Sequence, residues 1–211
     1  MMKRIFDLFL SMILVFMLSP LFAILIFASI IFQGFPIFFI QERPGKKGKL
    51  FKIIKFRTML LADKEQMSAE KGFSDKKFIG NDSDRITKYG QFLRTSSLDE
   101  IPELFNVIKG EMSLVGPRPL LVEFLSEYTS KENIRHQVLP GITGLAQVKG
   151  RNNTSWRRRL KYDNFYVSHK SLAFDIKILF MTFSAIKNSN NIDTQESKGT
   201  ALPFKERSKL K

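Results

Sequence analysis

The chain has 211 residues, with 34 Lys and Arg against 20 Asp and Glu and a formal charge of +14; that is enough for one domain plus an appendage, and it suits an anionic partner such as acidic lipid, a phosphorylated substrate or nucleic acid. The absence of cysteine excludes disulfides, thiolate metal sites and a cysteine nucleophile, and the two histidines, His136 and His169, have no metal-binding spacing. Neither a Walker loop nor GxGxxG occurs, which argues against an ATPase or a Rossmann enzyme.

Leu8 to Phe32 is a run of 25 residues without a charge, preceded by Lys3 and Arg4. A continuous helix of that length reaches ~38 Å, enough to cross a bilayer. Two features oppose a simple span. Ser19-Pro20 interrupts the middle of the run, where proline removes a backbone hydrogen bond and a neighbouring hydroxyl can satisfy the carbonyl it frees. Basic residues also flank both ends: after Glu42 come Arg43, Lys46, Lys47, Lys49, Lys52, Lys55 and Arg57. Positive charge on both sides places both ends on the cytoplasmic side. A re-entrant helix–break–helix over residues 1–36 satisfies both observations.

The remaining elements predict a mainly helical α+β fold. Ile37–Gln41 and Leu50–Thr58 read as a β-hairpin around RPGKKGK. Met59–Glu70 and Ile86–Arg94 read as helices, as does a segment carrying Leu98, Ile101, Leu104, Phe105 and Ile108 before Gly110. VGPRP (115–119) is a stiff loop, Leu120–Tyr128 a helix, and LPGITG (139–144) a turn-rich connection. Trp156–His169 combines arginines with aromatics. Leu172–Lys187 is apolar but broken by Asp175 and Lys177, so it lies on the membrane surface or packs on the domain. Residues 37–187 form a domain at the cytoplasmic face with interfacial helices, and 188–211 are a polar, mobile tail.

SSLDEIPELF (96–105) carries the chemistry. Ser97 with Glu100 three residues later is a capping box, and a helix start alone would account for the acidic pair. The same geometry can be functional. A helix N-terminus lowers carboxylate pKa values, leaving Asp99 ionised and nucleophilic, while Glu100 can ligate a hard cation such as Mg²⁺ that bridges phosphates. Lys55, Arg94, Arg118 (between Pro117 and Pro119) and Arg151 are candidate phosphate-binding cations, and Asp163 is a candidate ion-pair partner. No nucleic-acid-binding signature accompanies the basic–aromatic segment, and acidic lipid is the better partner.

ITKYGQFLRTSSLDEIPELFNVIKGEMSLVGPRPLL, LPGITGLAQVKGRN and the N-terminal KRIFD…SP together resemble the bacterial sugar transferases, the monotopic phosphoglycosyl transferases that load a sugar phosphate onto undecaprenyl phosphate. The resemblance runs from Lys3 to about Lys187 and is nearest to small, bacillosamine-phosphate-transferase-like members. It implies that Asp99 attacks the β-phosphate of a UDP-sugar, releases UMP and forms an aspartyl phosphosugar that undecaprenyl phosphate then accepts. It implies Mg²⁺ at Glu100, and places Lys55, Arg94, Arg118, Arg151 and Asp163 around the substrate. It matches Ser19-Pro20 to the re-entrant break. The implied product feeds downstream glycosyltransferases of glycoconjugate or lipopolysaccharide assembly at the bacterial inner membrane, with an N-acetylated hexosamine or bacillosamine-type donor favoured. Glu111 stands where Asp is commoner in the family, and Leu145 where Trp is frequent. The competing reading is a non-catalytic basic membrane scaffold in which Asp99 and Glu100 only cap a helix.

Overall fold

A computed structural model of the chain describes residues 2–61, 85–149 and 155–187. Helix α1 spans Met2–Gln33. Its apolar side chains divide into two faces because helical neighbours recur every three to four residues. Asp7, Ser11, Leu25 and Ser29 are buried along one stripe. Between them Leu10, Leu14, Val15 and Leu18 pack on one core, and Leu21, Phe22 and Ile26 on a second. Phe9, Phe16, Met17 and Phe27 stay exposed on the rest of the surface, and the helix is long and apolar enough to cross a membrane by length and composition.

The expected break at Ser19-Pro20 is instead a single helix that runs through Pro20. The reason is local. Pro20 cannot donate to the carbonyl four residues back, that of Phe16, and Ser19 Oγ donates to it at 2.7 Å in its place.

Both ends of α1 are pinned to the same polar domain. At the N-terminal end Lys3 Nζ meets Asp175 Oδ2 at 2.6 Å, while Arg4 donates to the carbonyls of Val107 and Ile108 at 2.6 and 3.0 Å. Asp7 accepts from Ser113 Oγ at 2.8 Å. At the other end the Tyr89 hydroxyl donates to Leu25 O at 3.1 Å. The buried Arg57 donates to the carbonyls of Gln33, Gly34 and Pro36, the last at 2.7 Å, and so satisfies acceptors that a helix C-terminus leaves free.

The hairpin forms as expected, with β1 (Phe38–Pro44) antiparallel to β2 (Leu50–Phe56). Pairing of Phe39 with Lys55, Gln41 with Ile53 and Arg43 with Phe51 puts these six residues on one face. Phe51 and Ile53 enter the main core there. Asn106, fully buried, covers the free edge of β2: its amide donates to Lys52 O at 2.7 Å and its oxygen accepts from Ile54 N at 3.2 Å. Glu111, one of the two departures from the family pattern, takes the second Asn106 amide hydrogen at 2.7 Å.

Helix α2 (Lys88–Thr95) approaches the exit of β2 so closely that a Cβ on Gly90 would stand 1.9 Å from Thr58 O. The continuous helix expected from Leu98 is divided: a 3₁₀ turn at Leu98–Glu100 precedes α3 (Glu103–Lys109), with Pro102 before its first residue. Strands β3 (Ser113–Val115) and β4 (Gly141–Thr143), a parallel pair not foreseen in the sequence, bracket the VGPRP loop. Gly116 and Gly141 meet backbone to backbone, with 2.0 Å between an ideal Gly141 Cβ and Gly116 N. Leu120–Tyr128, expected as an α-helix, contains a 3₁₀ segment at Val122–Glu127. Short helices α4 (Ser130–Asn133) and α5 (Leu145–Lys149) lead to α6 (Trp156–His169) and α7 (Leu172–Lys187). Helix α7 packs on the domain through the buried Asp175 and Ile178, and leaves Phe180 and Phe183 exposed. The expected helix Met59–Glu70 and the tail lie mostly or wholly outside the described residues, although Met59 itself bridges to Ile86.

Candidate active site

The turn between α2 and α3 presents the acidic pair. Ser97 has φ of 57°, in the left-handed region, and reverses the chain after α2. Leu98 and Ile101 then point into the cores, and Asp99 and Glu100, each half-buried, turn toward β2 and the VGPRP loop.

The capping box does not form: no side-chain bond caps this turn at Ser97. Glu100 faces two cations instead. Its Oε1 lies 2.6 Å from Lys55 Nζ and 2.8 Å from an Arg118 terminal nitrogen. Lys55 Nζ also reaches Glu103 Oε1 at 3.1 Å, on a side chain only 2 % exposed. Arg94 Nε donates to Thr58 Oγ1 at 2.9 Å, a contact that the close seating of α2 on Thr58 permits.

The electrostatics separate the carboxylates. Burial alone would raise Glu100, but Arg118 and Lys55 outweigh it and hold its carboxyl at about 2. Asp99 departs from the sequence expectation of a lowered value. Burial, then the Glu100 charge, push it up to about 6, against the opposing pull of Lys55, Arg118 and Arg94. A helix-terminal field is weak here because Asp99 sits in one 3₁₀ turn and not in the first turn of α3. Burial, assisted by Glu100, pushes Glu103 up to about 7. Lys55 stays a cation: burial would lower it, but the surrounding carboxylates raise it.

Asp99, Glu100, Lys55, Arg94 and Arg118 therefore act on one another in a single cluster. Asp163 does not join them directly. It is buried against Arg135 at 3.1 Å, as the ion-pair reading expects, and Arg135 in turn donates to the carbonyl of Arg118. Its place is one step behind the cluster, holding the loop that carries Arg118. Arg151 lies outside the described residues. Glu103 and Arg135 escaped the sequence reading. Glu103 was detectable in principle, since it follows Glu100 by three residues and helical spacing puts both on one side.

The donor set is hard oxygen from Asp99 and Glu100, and among the described residues no group of three His, Cys, Asp or Glu forms a metal cage. Such a site fits an ion like Mg²⁺, which keeps waters and is completed by substrate phosphates, better than a fully protein-ligated metal. Chemically, the cluster offers one half-buried carboxylate as nucleophile beside a fixed set of cations able to take phosphate oxygens.

Comparison with known proteins identifies the family. The bacterial sugar transferase family profile matches residues 1–189. A Bacillus subtilis sugar transferase, EpsL, is 41% identical over 90% of this chain and 89% of its own length. An undecaprenyl-phosphate galactose phosphotransferase of Salmonella typhimurium is 38% identical over 87% of this chain and 40% of its own. The UDP-glucose:undecaprenyl-phosphate glucose-1-phosphate transferase of Klebsiella pneumoniae is 38% identical over 85% of this chain. The chain spans about 40% of the length of these two longer relatives. It belongs to the bacterial sugar transferase family.

Proposed function

We propose that this chain transfers a phosphosugar from a UDP-sugar to undecaprenyl phosphate through a covalent intermediate on Asp99. The observation that carries the reading is the cluster itself: Asp99 stands beside Glu100, whose carboxylate is held by Lys55 and Arg118, with Arg94 acting on Asp99 from α2. In the first step an Asp99 carboxylate oxygen attacks the β-phosphorus. The bond from that phosphorus to the oxygen bridging the α-phosphate breaks, and UMP leaves with the electron pair. In the second step an oxygen of the lipid phosphate attacks the same phosphorus and Asp99 departs as a carboxylate. Lys55, Arg94 and Arg118 hold phosphate oxygens and offset the charge that shifts onto UMP. Glu100, with Asp99, would hold Mg²⁺, which supplies further charge neutralisation on the diphosphate when bound.

The lipid must keep its tail in the bilayer while the nucleotide arrives from water. Exposed apolar residues of α1 and α7 supply the membrane-facing surface. Attachment of both ends of α1 to one domain supports a re-entrant topology in which a bend at Pro20, and not the expected break, would return the helix, with both ends at the cytoplasmic face of the inner membrane, because a span would carry one end away from its partners. Anionic lipid adds to the attraction of a chain with charge +14. Galactose and glucose occur in the relatives' names. A UDP-hexose therefore joins the N-acetylated and bacillosamine-type donors to be screened.

The test is UMP release from a panel of UDP-sugars with undecaprenyl phosphate, comparing wild type with Asp99→Asn. Wild-type turnover that falls at least ~10³-fold in a folded variant is expected for loss of a covalent nucleophile. Full turnover by the variant contradicts the assignment.

A further inference from the structure

Arg43 stands on the face of the hairpin that carries Lys55, with Gln41 between Arg43 and Phe39 along β1 and Phe39 paired to Lys55. Its terminal nitrogen donates to Gln41 Oε1 at 2.6 Å, which fixes the plane of the guanidinium. Its Nε is buried and has no hydrogen-bond partner among the described residues. None of the ion pairs within 4 Å among those residues involves Arg43. The charges that act on it are Arg118, Glu123 and Glu103; burial first, and the Arg118 guanidinium second, push Arg43 down to about 10.

Pro44, the next residue along β1, lines one small cavity with Arg118, so the fold holds the two guanidiniums close to each other at an electrostatic cost. An anion that bridges both recovers that cost, and the planar forks of two arginines suit a phosphate. The charges acting on Asp99 are Glu100, Lys55, Arg118 and Arg94. Lys55 and Arg118 both meet Glu100, the neighbour of Asp99, whereas Arg43 lies opposite Phe51, four residues along β2 from Lys55, so Arg43 stands farther from Asp99 than either. When Asp99 takes the β-phosphorus, a cation one step farther out matches the neighbouring α-phosphate.

We infer that Arg43 is a further phosphate-binding residue, paired with Arg118 to grip the donor's α-phosphate, the one that leaves within UMP. The inference rests on the transferase reading above. Gln41 orients the Arg43 side chain, and the hairpin thereby contributes Lys55 to the reacting end of the diphosphate and Arg43 to the leaving end.

The experiment uses the purified full chain, with Arg43→Gln and Arg43→Lys beside wild type. Donor KM, KM for undecaprenyl phosphate, inhibition by UMP and melting temperature are measured for each. Loss of a charge-assisted contact predicts that Arg43→Gln raises donor KM and the UMP inhibition constant by ~10- to 100-fold and leaves the lipid KM within about twofold. Melting changes little, and Arg43→Lys recovers part of the donor affinity. Unchanged donor KM and UMP inhibition overturn the inference. A rise confined to the lipid KM overturns it by assigning Arg43 to the acceptor. A fall in melting temperature that lysine does not restore, with donor and lipid KM affected alike, makes Arg43 a strut toward Glu123 and also overturns it. Failure of the wild-type chain to release UMP from any UDP-sugar sinks the transferase reading itself, a result distinct from each of these.

Discussion

Lys55 Nζ lies 2.6 Å from Glu100 Oε1, and the same ammonium is shared with Glu103 at 3.1 Å. One cation on a β-strand therefore holds two carboxylates from the turn and helix that follow α2. Lys55→Met leaves Glu103 buried without its cation and Glu100 with Arg118 alone. Breaking a buried pair from one side costs ~3–5 kcal/mol when burial is complete, and Lys55 is 18 % exposed, so a loss of about 2–3 kcal/mol is expected. Thermal unfolding in detergent measures it, and under the proposed mechanism UMP release falls with it, since Lys55 would hold phosphate oxygens.

Attachment of both ends of α1 to one domain predicts its topology. The chain has no cysteine, so single cysteines placed at Lys3 neighbours and at Lys46 are the only thiols. In intact cells or sealed vesicles a membrane-impermeant reagent labels both positions from the same side. Labelling from opposite sides contradicts the re-entrant reading.

The Tyr166 hydroxyl donates toward Asp175 Oδ1 at 2.7 Å and lies 3.0 Å from Val115 O, next to the Gly116 that begins the Arg118 loop. Tyr166→Phe keeps the ring packing and removes these contacts. A loss of about 1–2 kcal/mol is expected, or roughly 2–8 °C in melting temperature. No change in melting contradicts the role of this hydroxyl in tying α6 and α7 to β3.

Burial pushes the Asp163 carboxyl up from its usual range to about 6, with Arg135 and Arg159 only partly opposing. The sign follows from linkage: between about pH 4 and 6 the folded chain binds more protons at this group than the unfolded chain, so its contribution to stability falls as pH rises. Below that window both states are protonated, and above it both are ionised. Asp163→Asn removes this dependence. Urea unfolding of wild type and variant across pH 4–7 is expected to show wild type losing stability relative to the variant as pH rises, by roughly 1.4 kcal/mol per pKa unit. A constant difference across the window contradicts the shift.

Local signals carried much of the fold into the sequence reading. The hairpin was legible because β-rich runs flank a Pro/Gly turn, and the apolar helix because its length is unambiguous. Ser19 was read as a possible hydroxyl partner for a freed carbonyl, and its bond to Phe16 O is what carries the helix through Pro20. Other features depend on contacts distant in sequence. Ser97 and Glu100 have capping-box spacing, but Lys55, 45 residues before Glu100, competes for that carboxylate and wins. The Asp99 carboxyl looked lowered by a helix end, and burial by neighbouring segments raises it. Strands β3 and β4 are three residues each, too short for an alternation to show. Arg57 and Arg4 looked like topogenic charge, and their carbonyl partners become visible only once the chain folds.

The covalent bond at Asp99 separates this mechanism from direct transfer. Incubating the purified chain with its UDP-sugar in the absence of undecaprenyl phosphate, then digesting it and measuring peptide masses, tests that bond directly. A covalent mechanism predicts a phosphosugar on the peptide containing Asp99 in wild type, released by adding undecaprenyl phosphate and missing in Asp99→Asn. Efficient turnover with no adduct under rapid quenching, or an adduct on another residue, would contradict it in favour of direct transfer or a different nucleophile.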